Sequence, residues 1–306
     1  MKRIQANARY DLGHQHFWYW RGWRVRYTYI RPDNPKAQRQ IPMLLIHGFG
    51  ANLEQWRSNL RNLGRQRPIY ALDLVGFGHS QKPAVVLGAE VWQQQVYDFW
   101  QSLIGQPVIL LGHSLGALVA LTAAARNPEM ASRLILLTLP LARQELVSGW
   151  LDRLARGVEG LFATPLLLRP LFRVVRQSGF IRRVLINVYQ EPERVDNELV
   201  DLFTRPTLER GAARTLCYLV KSRTKADFSD ATADLIQQVS MPILLVWGLQ
   251  DKVLPTMWAD QILSSHPEIT YRAIEGAGHC LYDEVPETVD STIQDWLKLL
   301  EIDPKN

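Results

Sequence analysis

The sequence predicts an α/β protein: one mostly parallel, eight-stranded sheet with helices on both faces and a helical cap inserted between two of its strands. Three observations predict it. Most of the strand-like segments are short, continuous apolar runs, the pattern of strands covered on both faces. Helical patterns at 90–104, 115–127 and 287–300 separate several of them, so strand and helix alternate. The alternation stops between about 141 and 237, where the text is largely helical and contains no strong strand.

In chain order, 17–32 mixes aromatic and β-branched residues with arginine around a turn signal at Gly22, and reads as two short strands. Buried strands follow at 41–48, 68–78, 106–114 and 133–140, and after the insertion at 241–248 and 269–279. This divides the chain into a core of 1–140 with 238–306 and a cap of 141–237. No internal repeat or low-complexity tract interrupts that plan.

A chain of 306 residues, 47% hydrophobic and 21% charged, has ample material for a large core. Its formal net charge of +5 is too mild to argue for nucleic acid, and no nucleic-acid motif is present. It suits an anionic surface such as a lipid headgroup layer. Two cysteines, Cys217 and Cys280, make neither a disulfide framework nor a metal pattern. Cys280 follows His279, and its expected role is packing. No uninterrupted apolar stretch is long enough to span a bilayer, and the N-terminal residues have no signal-type apolar core or transit-type character. The expected location is a reducing cytoplasm, with peripheral contact at a photosynthetic membrane allowed.

The chemistry starts at Gly112-His113-Ser114-Leu115-Gly116, between the strand "PVILL" and the helix "LGALVALTAAA". A serine on a sharp strand-to-helix turn has its hydroxyl pushed out above the sheet, and the flanking glycines remove side chains that would clash there. The next helix aims its N-terminus at whatever reacts with the serine. Ser114 is therefore the candidate nucleophile.

Its base must come later in the chain, with an acid between the two. His279, just after the last strand, occupies that position. His14 and His16 precede the central strands, and His266 lies at the opposite end of the last strand. Asp251, in the loop after strand 241–248, is the candidate acid that orients His279. The end of strand 133–140 is the other acid site this fold allows, and Glu145 comes several residues beyond it. Asp283 and Glu284 read as helix-start and surface residues.

Two backbone donors are needed for the oxyanion. Leu115, after the nucleophile, offers one, and Phe49, in the loop after "PMLLIHGFG", the other. His47 is expected to brace that loop. Asp73 precedes the serine, the wrong order for the acid, and reads as loop support.

These residues carry a likeness. "HGFG", "DLVGFGHS", "GHSLG", "WGLQDKVLP" and "GAGH" stand in the order of the α/β-hydrolase superfamily, which the chain resembles from about 40 to 300. More narrowly, "EVWQQQVYDFWQSLIGQPVILLGHSLG" and "INVYQEPERVDNELVDLFTRPTLERGAA" are similar to pheophytinase and chlorophyll dephytylase proteins, which cleave the phytol ester of chlorophyll pigments. The resemblance implies Ser114 as nucleophile, His279 as base and Asp251 as acid. The chain departs from it at His113, where pheophytinases tend to carry Asn, and at Ala117, where many relatives have a second glycine.

The insertion is where substrate choice is expected to lie. Its segment 164–189 is rich in Leu, Phe and Val, with a helix start at Thr164-Pro165, a kink or restart at Pro170 and a break at Gly179. Arg169, Arg173 and Arg176 are spaced to share one helical face, and Arg182 and Arg183 follow with no acid between. Two readings stay open. One is a lid whose apolar face packs on the core while its arginines meet water; the other is a basic, apolar helix at an anionic lipid interface. Both favour a greasy acyl or alcohol group over the serine. Trp56, Trp92, Trp100 and Trp150 could line a pocket for a flat ring, but the expected role of each is helix packing. The Trp/Tyr cluster at 17–29 is expected to pack on the sheet edge.

The expected function is hydrolysis of a carboxylic ester of a lipophilic small molecule, the phytol ester of chlorophyll or pheophytin being the specific expectation, with no metal or organic cofactor needed. Carboxylesterase, lipase, thioesterase and carbon–carbon hydrolase chemistry use the same machinery. Dehalogenases and epoxide hydrolases use an aspartate nucleophile, and position 114 is serine. A non-catalytic binding protein on the same scaffold is disfavoured because every candidate group is present.

Overall fold

The computed structural model describes residues 10–146, 165–223 and 228–302, with backbone alone at 165–169 and at 223. Trp150 and Thr164 lie outside the described residues, as does the side chain of Arg169. One eight-stranded sheet organises the rest, in the order β1-β2-β4-β3-β5-β6-β7-β8. β1 (His14–Trp20) and β2 (Trp23–Ile30) form a hairpin. Its turn holds Arg21 at φ 50° and Gly22 at φ 78°, the paired positive angles that suit a two-residue hairpin. β2 joins β4 (Ile69–Leu72) antiparallel. β3 (Met43–Ile46), β4, β5 (Val108–His113), β6 (Ala131–Leu137), β7 (Ile243–Gly248) and β8 (Thr270–Ile274) are all parallel.

β3, β5 and β7 are buried along their whole length, as their unbroken apolar text requires. Two helical layers cover them. α1 (Ala89–Leu103) and α2 (Leu115–Arg126) lie on one face, and α2 is buried continuously from Leu115 to Ala124 because α1, β5 and β6 surround it. On the other face, α9 (Pro286–Ile302) packs Val289, Ile293, Trp296 and Leu297 with Met43, Leu45, Ile109 and Leu111. Each such fully buried aliphatic side chain stabilises the fold by about 1.5–3 kcal/mol relative to exposure.

After a one-turn helix at Arg143–Leu146, the described helices between β6 and β7 are α3 (Pro165–Val175), α4 (Ser178–Val188), α5 (Asn197–Thr204), α6 (Ala212–Arg223) and α7 (Thr232–Gln237), with short helical turns between them. They form the helical insertion. α8 (Met257–Ser265) follows β7. Pro170 sits inside α3 without ending it. The break falls two residues before Gly179, at Gln177, whose extended backbone (φ −69°, ψ 137°) interrupts the helix and caps α4. Leu235 and Ile236 of α7 pack in the core beside α2.

Trp56, Trp92 and Trp100 pack, as expected. Trp56 is fully buried with its ring 5.1 Å from Tyr282, and Trp92 lies 5.6 Å from Phe77 with its indole N–H on the Val75 carbonyl. Trp100 donates to Gln106. In the hairpin, Trp18 and Tyr27 meet Phe99 of α1 edge-on, which covers the sheet edge.

Asp290 of α9 sets a pH dependence. It is buried, and it accepts hydrogen bonds from Asn59 Nδ2 (2.8 Å) and Asn62 Nδ2 (3.2 Å). Burial pushes its carboxyl up to about 7, aided by the Glu287 charge, while the two amides only partly offset this. A raised carboxyl favours the native state when protonated. That contribution is complete below the ordinary carboxylate range, about pH 4, and is lost as pH rises through 7. Asp290→Asn is therefore expected to be more stable than the parent near pH 8, with an advantage that shrinks steadily toward about pH 4 in urea titrations. A difference that did not change with pH would show that the native carboxyl titrates in the ordinary carboxylate range.

Candidate active site

β3, β5, β6, β7 and β8 end at one edge of the sheet, and the loops leaving those ends carry every candidate group. β5 ends at His113, and Ser114 turns the chain into α2 with φ 51° and ψ −119°. A non-glycine residue there costs of order 1–3 kcal/mol. The turn is enforced from both sides: the Ser114 N–H donates to the Leu137 carbonyl of β6 at 2.9 Å, and the chain on either side is packed against its neighbours. A Cβ at Gly112 would stand 2.2 Å from the Gly116 carbonyl oxygen, and one at Gly116 would stand 2.2 Å from that of Ile46. Both glycines of the pattern are thus required by close backbone approach. Leu115 opens α2, so its N–H belongs to the unpaired first turn of a helix.

Register places the other donor loop alongside. Ile46 of β3 pairs with Gly112 of β5, so Phe49 lies three residues beyond β3 next to the serine turn. The Phe49 side chain is largely exposed, edge-on to Phe77 at 5.4 Å. His47 is fully buried. Its Nε2 accepts from the Leu74 N–H at 3.0 Å, so Nδ1 carries the proton and donates to the Gly48 carbonyl at 2.8 Å. Burial holds its pKa below the ordinary imidazole value. It braces the loop, as expected.

Asp73 is a loop support of unusual reach. Its fully buried carboxylate accepts from Arg26 Nε (2.7 Å), Leu53 N (2.7 Å) and His79 N (2.7 Å). Arg26, itself buried on β2, also reaches Glu54 at 2.7 Å. Burial alone would push the Asp73 carboxyl up; the Arg26 guanidinium and the Leu53 N–H overcome it and hold it low.

At the far side, Gly248 of β7 pairs with Ile274 of β8, and the loops beyond stay joined, Leu249 N–H to Ile274 O at 2.9 Å and Gln250 N–H to Ala277 O at 3.0 Å. This brings Asp251 to His279: Asp251 Oδ2 lies 2.8 Å from His279 Nδ1. The other carboxylate oxygen accepts from Val253 N (2.7 Å) and Leu254 N (2.9 Å), and the side chain is buried. A proton on Nδ1 directed at a carboxylate leaves Nε2 as the basic nitrogen. The rejected histidines lie elsewhere. His14 and His16 sit on β1 at the opposite edge of the sheet, and His266 ends α8 ahead of β8. Glu145 instead accepts backbone N–H groups of Ala142, Thr232 and Ala233.

His113 joins the two halves. Its ring lies 4.8 Å from that of His279, and its Nε2–H donates to the His279 carbonyl at 2.9 Å. Burial, with the neighbouring His279, keeps it well below the ordinary imidazole pKa, so it serves as a neutral donor. The residue before Ser114 therefore holds the backbone of His279.

Asp283 and Glu284 correct the surface reading: both are buried. Asp283 takes a two-point contact from Arg57 (3.1 and 3.0 Å) and the Tyr189 hydroxyl at 2.9 Å. Glu284 accepts from Cys280 N (3.0 Å), the residue after His279, and from Gln190 N (2.7 Å), just beyond α4. One carboxylate thus ties the insertion to the loop that carries His279. Burial raises the pKa of the Cys280 thiol far above its ordinary value, leaving a packing residue.

Among the described residues no group of three or more His, Cys, Asp or Glu is arranged to hold a metal ion, and no helix is long and apolar enough to cross a membrane.

The chain has relatives among known proteins. The chain is 25% identical over 277 residues to an uncharacterised hydrolase, YugF, of Bacillus subtilis (strain 168), covering 90% of this chain and 95% of that one. It is 26% identical to the chloroplastic pheophytinase of Arabidopsis thaliana over 91% of its own length and 65% of the relative's, so it spans just under two thirds of that protein. Among solved structures it superimposes on a membrane phospholipase A (TM-score 0.73, 24% identity, 94% of this chain and 86% of that one). It also superimposes on a thermophilic esterase of Thermogutta terrifontis (TM-score 0.72, 21% identity, 94% and 99%). The pattern of the α/β hydrolase fold matches residues 41–286, from just before β3 to the start of α9, a range that includes Ser114, Asp251 and His279; the chain belongs to that family.

Proposed function

We propose that the protein is a serine hydrolase of carboxylic esters, with Ser114 as nucleophile, His279 as general base and Asp251 as the acid that orients it. The observation that carries the reading is the His279–Asp251 pair at 2.8 Å, set against a serine held at φ 51° on the adjoining turn. In this reading the Ser114 hydroxyl attacks the ester carbonyl as His279 Nε2 takes its proton, and the N–H groups of Phe49 and Leu115 receive the oxyanion. Collapse of the intermediate breaks the bond to the alkoxy oxygen, which leaves as alcohol with the proton from His279. Water, deprotonated by the same imidazole, then attacks the acyl-enzyme and frees the acid.

Residues 141–237 act in this proposal as the cap that selects the substrate, with 1–140 and 238–306 as the core. The apolar text of the cap and the relation to a pheophytinase support a lipophilic ester, and specifically the phytol ester of chlorophyll or pheophytin. Incubation with either pigment should release free phytol, and a fluorophosphonate should label the protein stoichiometrically. Labelling and brisk turnover of p-nitrophenyl esters without phytol would keep the esterase and reject the pigment. No labelling at all would reject the esterase.

A further inference from the structure

The charge of this protein is concentrated in one place. Residues 165–188 contain five arginines and no lysine, aspartate or glutamate, which equals the formal net charge of +5 of the whole chain, so the remainder is neutral in balance. That stretch is α3 and α4 with the turn between them. Its outward residues are not only basic. Leu171 and Val174, three apart on α3, are 52% and 49% exposed, and Phe180 and Val184, four apart on α4, are 39% and 45% exposed. Inward anchoring falls to Phe172 and Leu185. Arg182 is engaged by Val195 O and Asn197, whereas Arg173 and Arg183 are exposed and Arg176 is half-buried, with no acidic partner among the described residues.

We propose that α3 and α4 form a docking surface for an anionic lipid bilayer. Exposed apolar side chains interspersed with unpaired arginines match a headgroup layer twice over: the aliphatic groups enter the acyl boundary while the guanidinium groups meet phosphate. A bilayer is favoured over a second copy of the chain, because two such surfaces would oppose like charges. The surface also adjoins the candidate site. Just past α4, Gln190 bonds Glu284, and the Val188 carbonyl lies 3.2 Å from where a Cβ on Gly278 would be, one residue before His279. Docking would bring the His279 loop close to the lipid. The proposal goes beyond the catalytic reading and does not depend on it, since its readout is binding.

The test is flotation of the full chain with vesicles of phosphatidylcholine alone and of equal phosphatidylcholine and phosphatidylglycerol. Wild type should float with the anionic vesicles only, and less as salt is raised. Neutralising three charges (Arg173→Gln, Arg176→Gln, Arg183→Gln) should weaken retention by about a hundredfold, at roughly a factor of five for each charge. Leu171→Ser with Val184→Ser should weaken it as well, with the circular dichroism spectrum and the urea unfolding midpoint unchanged in both variants. Equal flotation with neutral vesicles, no flotation, or retention insensitive to these changes would overturn the proposal. So would a wild-type dimer that the arginine variant dissociates while vesicle retention stays constant.

Discussion

Ser114→Ala is expected to lower ester turnover by about a millionfold and to abolish fluorophosphonate labelling, while leaving the unfolding midpoint close to that of the parent. The size follows from the unit the residues form: without the hydroxyl, His279 has nothing to deprotonate but water, and only the backbone donors and substrate binding remain. Asp251→Asn is the companion. The amide keeps the shape of the carboxylate, but its NH2 group competes with the donors at Val253 and Leu254, and it no longer holds the proton of His279 on Nδ1. A loss of about ten-thousandfold in kcat, with KM little changed, is the expected result. Labelling is expected to slow in parallel. Asp251→Asn turning over at the parental rate would detach the acid from the mechanism, and equal labelling of Ser114→Ala would detach the serine.

The second large effect is on stability. Asp73→Ala should cost about 3–5 kcal/mol in a urea titration, because it leaves the buried Arg26 guanidinium with only Glu54 as a charged partner. It also unpairs the N–H groups of Leu53 and His79, so both loops that flank the Phe49 segment lose an anchor. Arg26→Met should destabilise comparably, since it strands the Asp73 carboxylate in a fully buried site beside His47. Because the native carboxyl is held low, the stability contributed by Asp73 is present above the ordinary carboxylate range, about pH 4, and fades as pH falls through the native value. That sign is opposite to Asp290, so the two titrations are separable by variant. A cost under about 1 kcal/mol for Asp73→Ala would mean that the pair contributes no more than an exposed one.

Asp73 also shows where the text of the chain stops being informative. Its order before the serine excludes it as the acid, and that much is local. Its partner Arg26 stands in a strand mixed with aromatic residues, 47 residues away in sequence, and nothing in that strand marks it as buried; it is 1% exposed on β2, beside β4. Asp283 and Glu284 misled for the same reason. They stand in a one-turn helix, Leu281–Glu284, just ahead of α9, where acids are usually solvated, but Arg57 is 226 residues away in sequence and Gln190 is 94. No local pattern encodes a partner at that distance.

By itself the sequence determined what local chemistry can determine. Continuous apolar runs can be satisfied only by strands covered on both faces, and a serine between glycines at the end of such a run can only be a sharp turn into a helix. Order along the chain then made His279 and Asp251 the candidates, and the structure brings the two side chains to 2.8 Å. The tertiary structure alone decided the rest: that His113 grips the backbone of His279, that Glu284 ties the insertion to the same loop, and that leucine, valine and phenylalanine of α3 and α4 face outward beside their arginines. Burial and pairing depend on which distant segments exclude water from a group, and that is a property of the assembled layers rather than of any stretch of chain.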